Sequence, residues 1–309
     1  MERGLIDWIV FWAIVAVLFY IDLYVSERRT RRISLKASLV WSAIWITAAL
    51  LFNAFIYFDL GKEKAIEFLT GYLIEKSLSV DNLFVFLLIF QVMNVKPEQQ
   101  PHVLKWGIIG AIVFRIIFIL AGVGLINLFE PIIFIFAAIL LYAAYKMAFG
   151  AEHKIDVKNN WLVKLASRYL NFDPDYTGGK FFITKNHKRY ATPMFITLLL
   201  IESSDIVFAV DSIPAIIAIT KDTFIIISSN IFAILGLRAL YFALAGVVDL
   251  FVYLKYGVAI ILFYVGVKMI ISEWYHIPTE YSLVFILLML TGSVVLSLLA
   301  KKKGKKEKD

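Results

Sequence analysis

Runs of about 18 or more mostly apolar residues recur along the whole chain, and no other feature narrows its fold as much. About 20 helical residues cross the hydrocarbon core of a bilayer. In lipid each segment must satisfy its own backbone N–H and C=O groups, so spans this long and continuous are helices rather than barrel strands. Nine runs qualify, at roughly 6–25, 39–57, 73–93, 107–128, 132–149, 194–217, 224–247, 256–272 and 282–300. Composition agrees, with 61% of residues hydrophobic against about 45–50% in soluble domains. The expected fold is an all-α polytopic membrane protein of about nine transmembrane helices. A single transmembrane domain covers 1–300, and a basic cytoplasmic tail covers 301–309.

The basic residues set its orientation. Arg28, Arg29, Arg31, Arg32 and Lys36 follow the first span, and Lys96 and Lys105 follow the third. The 151–192 connection, Lys255 and the tail KKKGKKEKD are basic on the same side, against Arg3, Lys62, Lys64 and Lys221 opposite. The positive-inside rule then places the N-terminus outside and the C-terminus in the cytoplasm, as an odd number of spans requires. The first run is too long for a signal peptide, and its basic cluster lies after it, so it is read as a retained span. The net charge of +7 is accordingly a topological signal and an attraction to anionic lipid, with no nucleic-acid partner implied. The 151–192 loop is expected to hold a short amphipathic helix, 161–170, a Gly178–Gly179 turn and a hairpin over 180–191. Asp173-Pro174-Asp175 lacks the remaining ligand positions of a calcium loop and reads as a plain turn.

The chain also repeats itself in reverse orientation. Ser79-Val80-Asp81-Asn82-Leu83-Phe84 in the third span is echoed by Ser203-Ser204-Asp205-Ile206-Val207-Phe208 in the sixth. Arg115 before IIFILAGV is echoed by Arg238 before ALYFALAGV, and Tyr142–Met147 by Tyr264–Met269. The three pairs occur in the same order at a nearly constant offset of about 123 residues. Units of three spans, about 71–150 and 193–273, enter the bilayer from opposite sides. Such inverted repeats are a common plan for transporters that bind substrate at the midplane.

Six acids fall inside these spans: Asp22, Glu75, Asp81, Glu202, Asp205 and Asp211. An Asp at a helix centre costs about 2.5–3.5 kcal/mol on insertion scales, so six must be paired, protonated or bound to something. Asp81 and Asp205 are the repeat-matched centre, and Glu202 shares a face with Asp205 three residues on. Glu75 to Asp81 and Asp205 to Asp211 are each six apart. Both members of such a pair reach one ligand only if the helix unwinds, as Pro214 could encourage, or if neighbouring helices close over it. Arg115, Arg238, Lys146 and Lys268 are the candidate charge-balancing cations. Carboxylates, the Asn82 amide and serine hydroxyls are hard donors suited to Mg²⁺, Ca²⁺ or Mn²⁺. The chain has no cysteine, and its four histidines all fall in expected loops, which disfavours soft-metal cargo and thiol chemistry. No nucleophile–base constellation suggests an enzyme, and no permanently bound cofactor is expected.

The runs Glu75–Val85 (EKSLSVDNLFV) and Glu202–Ala215 (ESSDIVFAVDSIPA) resemble the two acidic signatures of the TerC/Alx family of integral membrane proteins. Gly178–Phe182 and Tyr190–Pro193 resemble that family's loop, and Asp22 in Tyr20-Ile21-Asp22-Leu23 resembles the acid of its first span. The resemblance implies a multi-pass manganese exporter of the inner membrane, with Asp22, Glu75, Asp81, Asn82, Glu202, Asp205 and Asp211 as metal-site residues. Two alternatives remain open at this stage: a membrane-protein assembly or insertion factor, and a transporter of Ca²⁺ or of a proton-coupled solute.

Overall fold

Among the described residues, eleven helices and one small sheet account for most of the chain. The computed structural model describes residues 5–27, 35–129, 131–150, 160–174, 176, 178–185, 187–245, 253–271, 274–275 and 277–306. Within its helices, the side chains of Asp81 and Asp211 lie outside that description. The helices are α1 (Leu5–Glu27), α2 (Leu35–Leu60), α3 (Lys62–Val92), α4 (Gln100–Leu128), α5 (Ile132–Phe149) and α6 (Trp161–Tyr169). They continue as α7 (Pro193–Ile217), α8 (Thr223–Ile234), α9 (Leu237–Ala245), α10 (Leu254–Ile271) and α11 (Thr279–Lys306).

Six helical stretches are long and apolar enough to cross a membrane: Leu35–Leu60, Gln100–Ile126, Ile132–Phe149, Pro193–Ile217, Leu254–Ile271 and Thr279–Ala300. Helices α8 and α9, bent by 41° at their junction, make a seventh if taken as one broken span. The protein is therefore a multi-pass, mostly helical membrane protein. Helices α1 and α3, in the places of the first and third apolar runs, are not among the six. Helix α3 is 31 residues long, about 46 Å at 1.5 Å per residue, and carries Lys62, Glu63, Lys64, Glu67, Glu75 and Lys76 along it.

Four of the helix starts have an evident local cause. Pro193 opens α7 and Pro101 lies in the first turn of α4, where a missing N–H costs nothing. Asp222 caps α8 by accepting from Phe224 N at 3.0 Å and Ile225 N at 3.4 Å. Asn160 caps α6 the same way, accepting from Leu162 N and Val163 N, both at 3.1 Å.

Helix α3 is the hub, packing on α2, α7, α8 and α11, while α4 packs on α7 and α5 on α10. The inner half of this bundle is almost wholly enclosed: every residue of α8 from Phe224 to Ile234 is buried. Rings of Phe52, Phe68, Phe224 and Phe232 interlock there, with Phe52 and Phe232 stacked at 4.5 Å.

The α8–α9 break has an evident origin. Gly236 takes φ +79°, which favours a residue without Cβ. A Cβ there would also meet the Trp45 ring at 2.5 Å. Carbonyls released by the break are met by a cation, since Lys76 Nζ donates to Ala233 O at 3.1 Å and Leu235 O at 3.5 Å.

The 151–192 connection forms α6, then β1 (Asn171–Phe172), β2 (Phe182–Lys185) and β3 (Lys188–Ala191). The sheet order is β1-β3-β2. Strands β2 and β3 are the expected hairpin, with Ile183 opposite Tyr190 and Lys185 opposite Lys188. Strand β1 adds in parallel on the other side, Phe172 opposite Ala191. Asp173 pairs with Lys185 beside this sheet, while Asp175 lies outside the described residues.

Candidate functional site

Arg115 of α4 is the centre of a buried polar cluster that joins four helices. Only 2% of it is exposed, yet it must be charged because a guanidinium does not deprotonate in proteins. It is therefore compensated on several sides. Its Nη1 donates to the fully buried carboxylate of Glu75 on α3. Its Nη2 lies 3.8 Å from Asp205 Oδ1 on α7. The amide of Asn230 on α8 completes the ring, donating to Glu75 Oε2 at 3.1 Å and accepting from Arg115 Nη1 at 3.5 Å. Ser79, one turn beyond Glu75, lies 3.5 Å from Glu75 Oε1.

Glu202, one turn before Asp205 on α7, has a different environment. Its side chain is 8% exposed, and its Oε2 has no hydrogen-bond partner among the described residues. The carboxylate lies against the backbone of α4 at Gly110, where an added Cβ would collide with Glu202 Oε1. A glycine at this point makes the room the carboxylate occupies. A buried carboxylate oxygen without a donor is costly, so this is where the cluster is electrostatically incomplete. A cavity of about 10 Å³, room for about one water, opens beside Asp205 and is otherwise mostly apolar, bordered by Arg238, Gly107, Ala111 and Ile201.

A second ion pair lies where the broken helix resumes. Arg238 of α9, 4% exposed, donates through Nε to Asp22 Oδ2 at 3.1 Å and through Nη2 to the same carboxylate and to Asp22 O. Asp22 is buried, held inward by Arg238. The two arginines therefore serve different acids: Arg115 holds Glu75 and Asp205, and Arg238 holds Asp22.

The remaining expected residues separate. Asn82 is buried on α3. Lys268 is buried on α10 and donates to Ser282 Oγ at 2.9 Å. Lys146 is exposed in the last turn of α5. Asp81 and Asp211 sit on α3 and α7 in unbroken helix, with side chains outside the description. Pro214 does not unwind α7; it falls in the last turn, where few hydrogen bonds are lost. Neighbouring helices close over the acids instead, α4 and α8 reaching Glu75.

Sequence reasoning passed over Asn230, Gly110 and Glu67. Asn230 had a signal, since Ser228-Ser229-Asn230 is a polar run inside an apolar span, and all three are fully buried. Glu67 fell outside the expected third span, but α3 begins eleven residues earlier than that span. It is buried, accepting from Thr220 Oγ1 at 2.6 Å and Lys64 Nζ at 2.8 Å. Among the described residues no three carboxylate or imidazole groups converge as a metal site; Arg115 stands between Glu75 and Asp205.

The integral membrane protein TerC family matches residues 60–305. The chain belongs to the TerC family. That match takes in both acidic runs, Arg115, Asn230 and Arg238. An Escherichia coli (strain K12) protein named as a proposed membrane-bound redox modulator, Alx, is 45% identical over 295 residues, 92% of each chain. The Alx protein of Salmonella typhi is 44% identical over 299 residues, 94% of this chain and 93% of its own. A Rickettsia bellii (strain RML369-C) membrane protein is 43% identical over 295 residues, 96% of this chain and 98% of its own. No solved structure matches the chain.

Proposed function

We propose that this TerC-family protein is a transporter that exports a divalent metal cation, Mn²⁺ first among the candidates, across the cell's inner membrane through the acidic cluster. The observation that carries this reading is Glu202: a buried carboxylate with an unpartnered oxygen, one turn from Asp205 and pressed against Gly110. Hard oxygen donors in a dry site favour a hard or borderline divalent cation. Asp81 and Asn82 on α3 and Asp211 on α7 would supply further donors, with Glu75 released to the cation as Arg115 moves away. Arg115 is then an internal counter-cation that neutralises Glu75 and Asp205 when no metal is bound. Exchange against protons at the same carboxylates is part of the proposal.

The architecture we assign to this activity has nine spans, counting α1, α3 and the broken α8–α9 pair, with the N-terminus outside. Two inverted units, 71–150 and 193–273, would rock about the acidic midplane. The arginine pairing supports such asymmetry, since repeat-matched cations are engaged with different acids in one state. The absence of cysteine bears on the name of the Alx relatives. A redox effect of this chain would come through a redox-active metal cargo, because thiol exchange has no residue to use.

Binding can be tested apart from transport. The six-line electron paramagnetic resonance signal of free aqueous Mn²⁺ is lost on binding. Purified protein is expected to remove it, with Ca²⁺ and Mg²⁺ competing to degrees that rank the cargo. Glu202→Gln is expected to leave the signal free. Equal binding by wild type and this variant would overturn the site assignment.

A further inference from the structure

The face of α3 that meets α8 is polar all the way from the buried cluster to one end of the bundle. Lys64, Glu67, Gly71 and Glu75 fall within about 80° of one another around α3. Glu75 meets Asn230 of α8. Gly71 lies against Ser229, whose Oγ would be 2.9 Å from an added Cβ. Glu67 accepts from the hydroxyl of Thr220, in the turn between α7 and α8, at 2.6 Å. Ser228 and Ser229 are fully buried between these contacts. Glu67 stands about 12 Å from Glu75 along α3. It lies at the end opposite the 151–192 connection, because α7 starts at that connection and runs 25 residues before the Thr220 turn.

At this end an ammonium sits between two carboxylates. Lys64 Nζ is 2.8 Å from Glu67 Oε2 and 3.7 Å from Asp222 Oδ2. The Glu67 side chain is 9% exposed, against 32% for Lys64 and 28% for Asp222. Lys64 can therefore turn out into water on its flexible stem, while Glu67 stays enclosed. Both donors to Glu67 fall on Oε2, and Oε1 takes no hydrogen bond among the described residues. Asp222 caps α8 through Oδ1, which leaves Oδ2 for a cation. With the ammonium turned away, two carboxylates and a hydroxyl remain, a set of hard oxygen donors. Fastening α3 to the α7–α8 turn needs only the Thr220 bond, and a buried carboxylate with a spare oxygen is a costly way to do it.

We infer that Glu67, Asp222 and Thr220 form a second cation station at the far end of this seam, occupied by the Lys64 ammonium until a divalent cation displaces it into solvent. Its place on a transport route rests on the reading of the buried cluster proposed above; its capacity to bind a divalent cation does not. A station competed for by a tethered ammonium suits release, since a passing ion must leave as readily as it arrives.

Binding at the station is counted by Mn²⁺ electron paramagnetic resonance on full-length protein in a Glu202→Gln background, reading the increment over that variant alone. Adding Lys64→Met is expected to create one Mn²⁺ site per chain, and adding Glu67→Gln as well is expected to remove it. Asp222→Asn, which keeps the α8 cap, is expected to weaken the added site. No added site in Lys64→Met overturns the station, and an added site that survives Glu67→Gln overturns its assignment to this carboxylate. In inverted vesicles, Glu67→Gln alone is expected to slow Mn²⁺ uptake at least fivefold, while Mn²⁺ binding by the purified protein falls less than twofold. Uptake by this variant at the wild-type rate overturns the station's place on the route. Wild-type vesicles that take up no Mn²⁺ would refute transport, and the route with it, while the added site in Lys64→Met still decides the station.

Discussion

Replacing Arg115 by Met would leave Glu75 and Asp205 as buried anions facing each other, and breaking a buried pair in this way costs about 3–5 kcal/mol. Glu75→Gln alone strands the guanidinium and is expected to destabilise by a similar amount. The double variant Arg115→Met with Glu75→Gln removes both charges. It is expected to recover part of the loss in detergent thermal unfolding, because the pair is non-additive although Asp205 still lacks its cation, while metal binding is weakened by the loss of the Glu75 donor. Stability and function then separate in one series. Gly110→Ala is a gentler probe. The atom in its way is the far end of the Glu202 side chain, which can turn aside, so the variant should fold near normally and bind Mn²⁺ at least tenfold more weakly. Near-normal binding by Gly110→Ala would show that the Glu202 position is unimportant. The acids themselves were legible in the sequence because charge inside an apolar run is conspicuous. Gly110 was not, since a glycine that makes room for a neighbour looks like any other helical glycine until the neighbour is placed.

At the scale of elements, the α8–α9 break is the departure from a simple bundle. Gly236→Ala meets both a left-handed backbone, about 1–2 kcal/mol for a residue with Cβ, and the Trp45 ring. We expect a drop in unfolding temperature larger than that of Gly110→Ala. Lys76→Met would leave Ala233 O and Leu235 O without their donor and is expected to destabilise by about 1–3 kcal/mol, by the same unfolding measurement. The sequence showed an apolar run across 224–247, and periodicity cannot mark a 41° bend whose cause is one glycine against a tryptophan from a distant helix. The amphipathic helix and hairpin of the 151–192 connection were legible, since local capping and alternation specify them. Helix α3 was legible only in its apolar half; its charged first turns are helical because Glu67 finds Thr220 and Lys64.

For the whole molecule, the apolar runs were enough to read a multi-pass helical protein, because lipid leaves the backbone no other choice. Which helices meet was not readable: the Asn230 to Glu75 contact joins residues far apart in the chain and depends on how α8 lies against α3. The nine-span, N-out arrangement can be checked in the cysteine-free background. A membrane-impermeant maleimide applied to intact cells is expected to label Lys62→Cys and not Lys185→Cys; the reverse pattern would invert the topology. The central claim is that a divalent cation passes through the cluster at Glu202 and Asp205. Its most direct test is Mn²⁺ accumulation by inverted membrane vesicles carrying wild type, Glu202→Gln or Asp205→Asn. Wild-type vesicles are expected to accumulate Mn²⁺ and both variants to lose at least nine-tenths of that uptake while remaining in the membrane. Undiminished uptake in both variants would contradict the account.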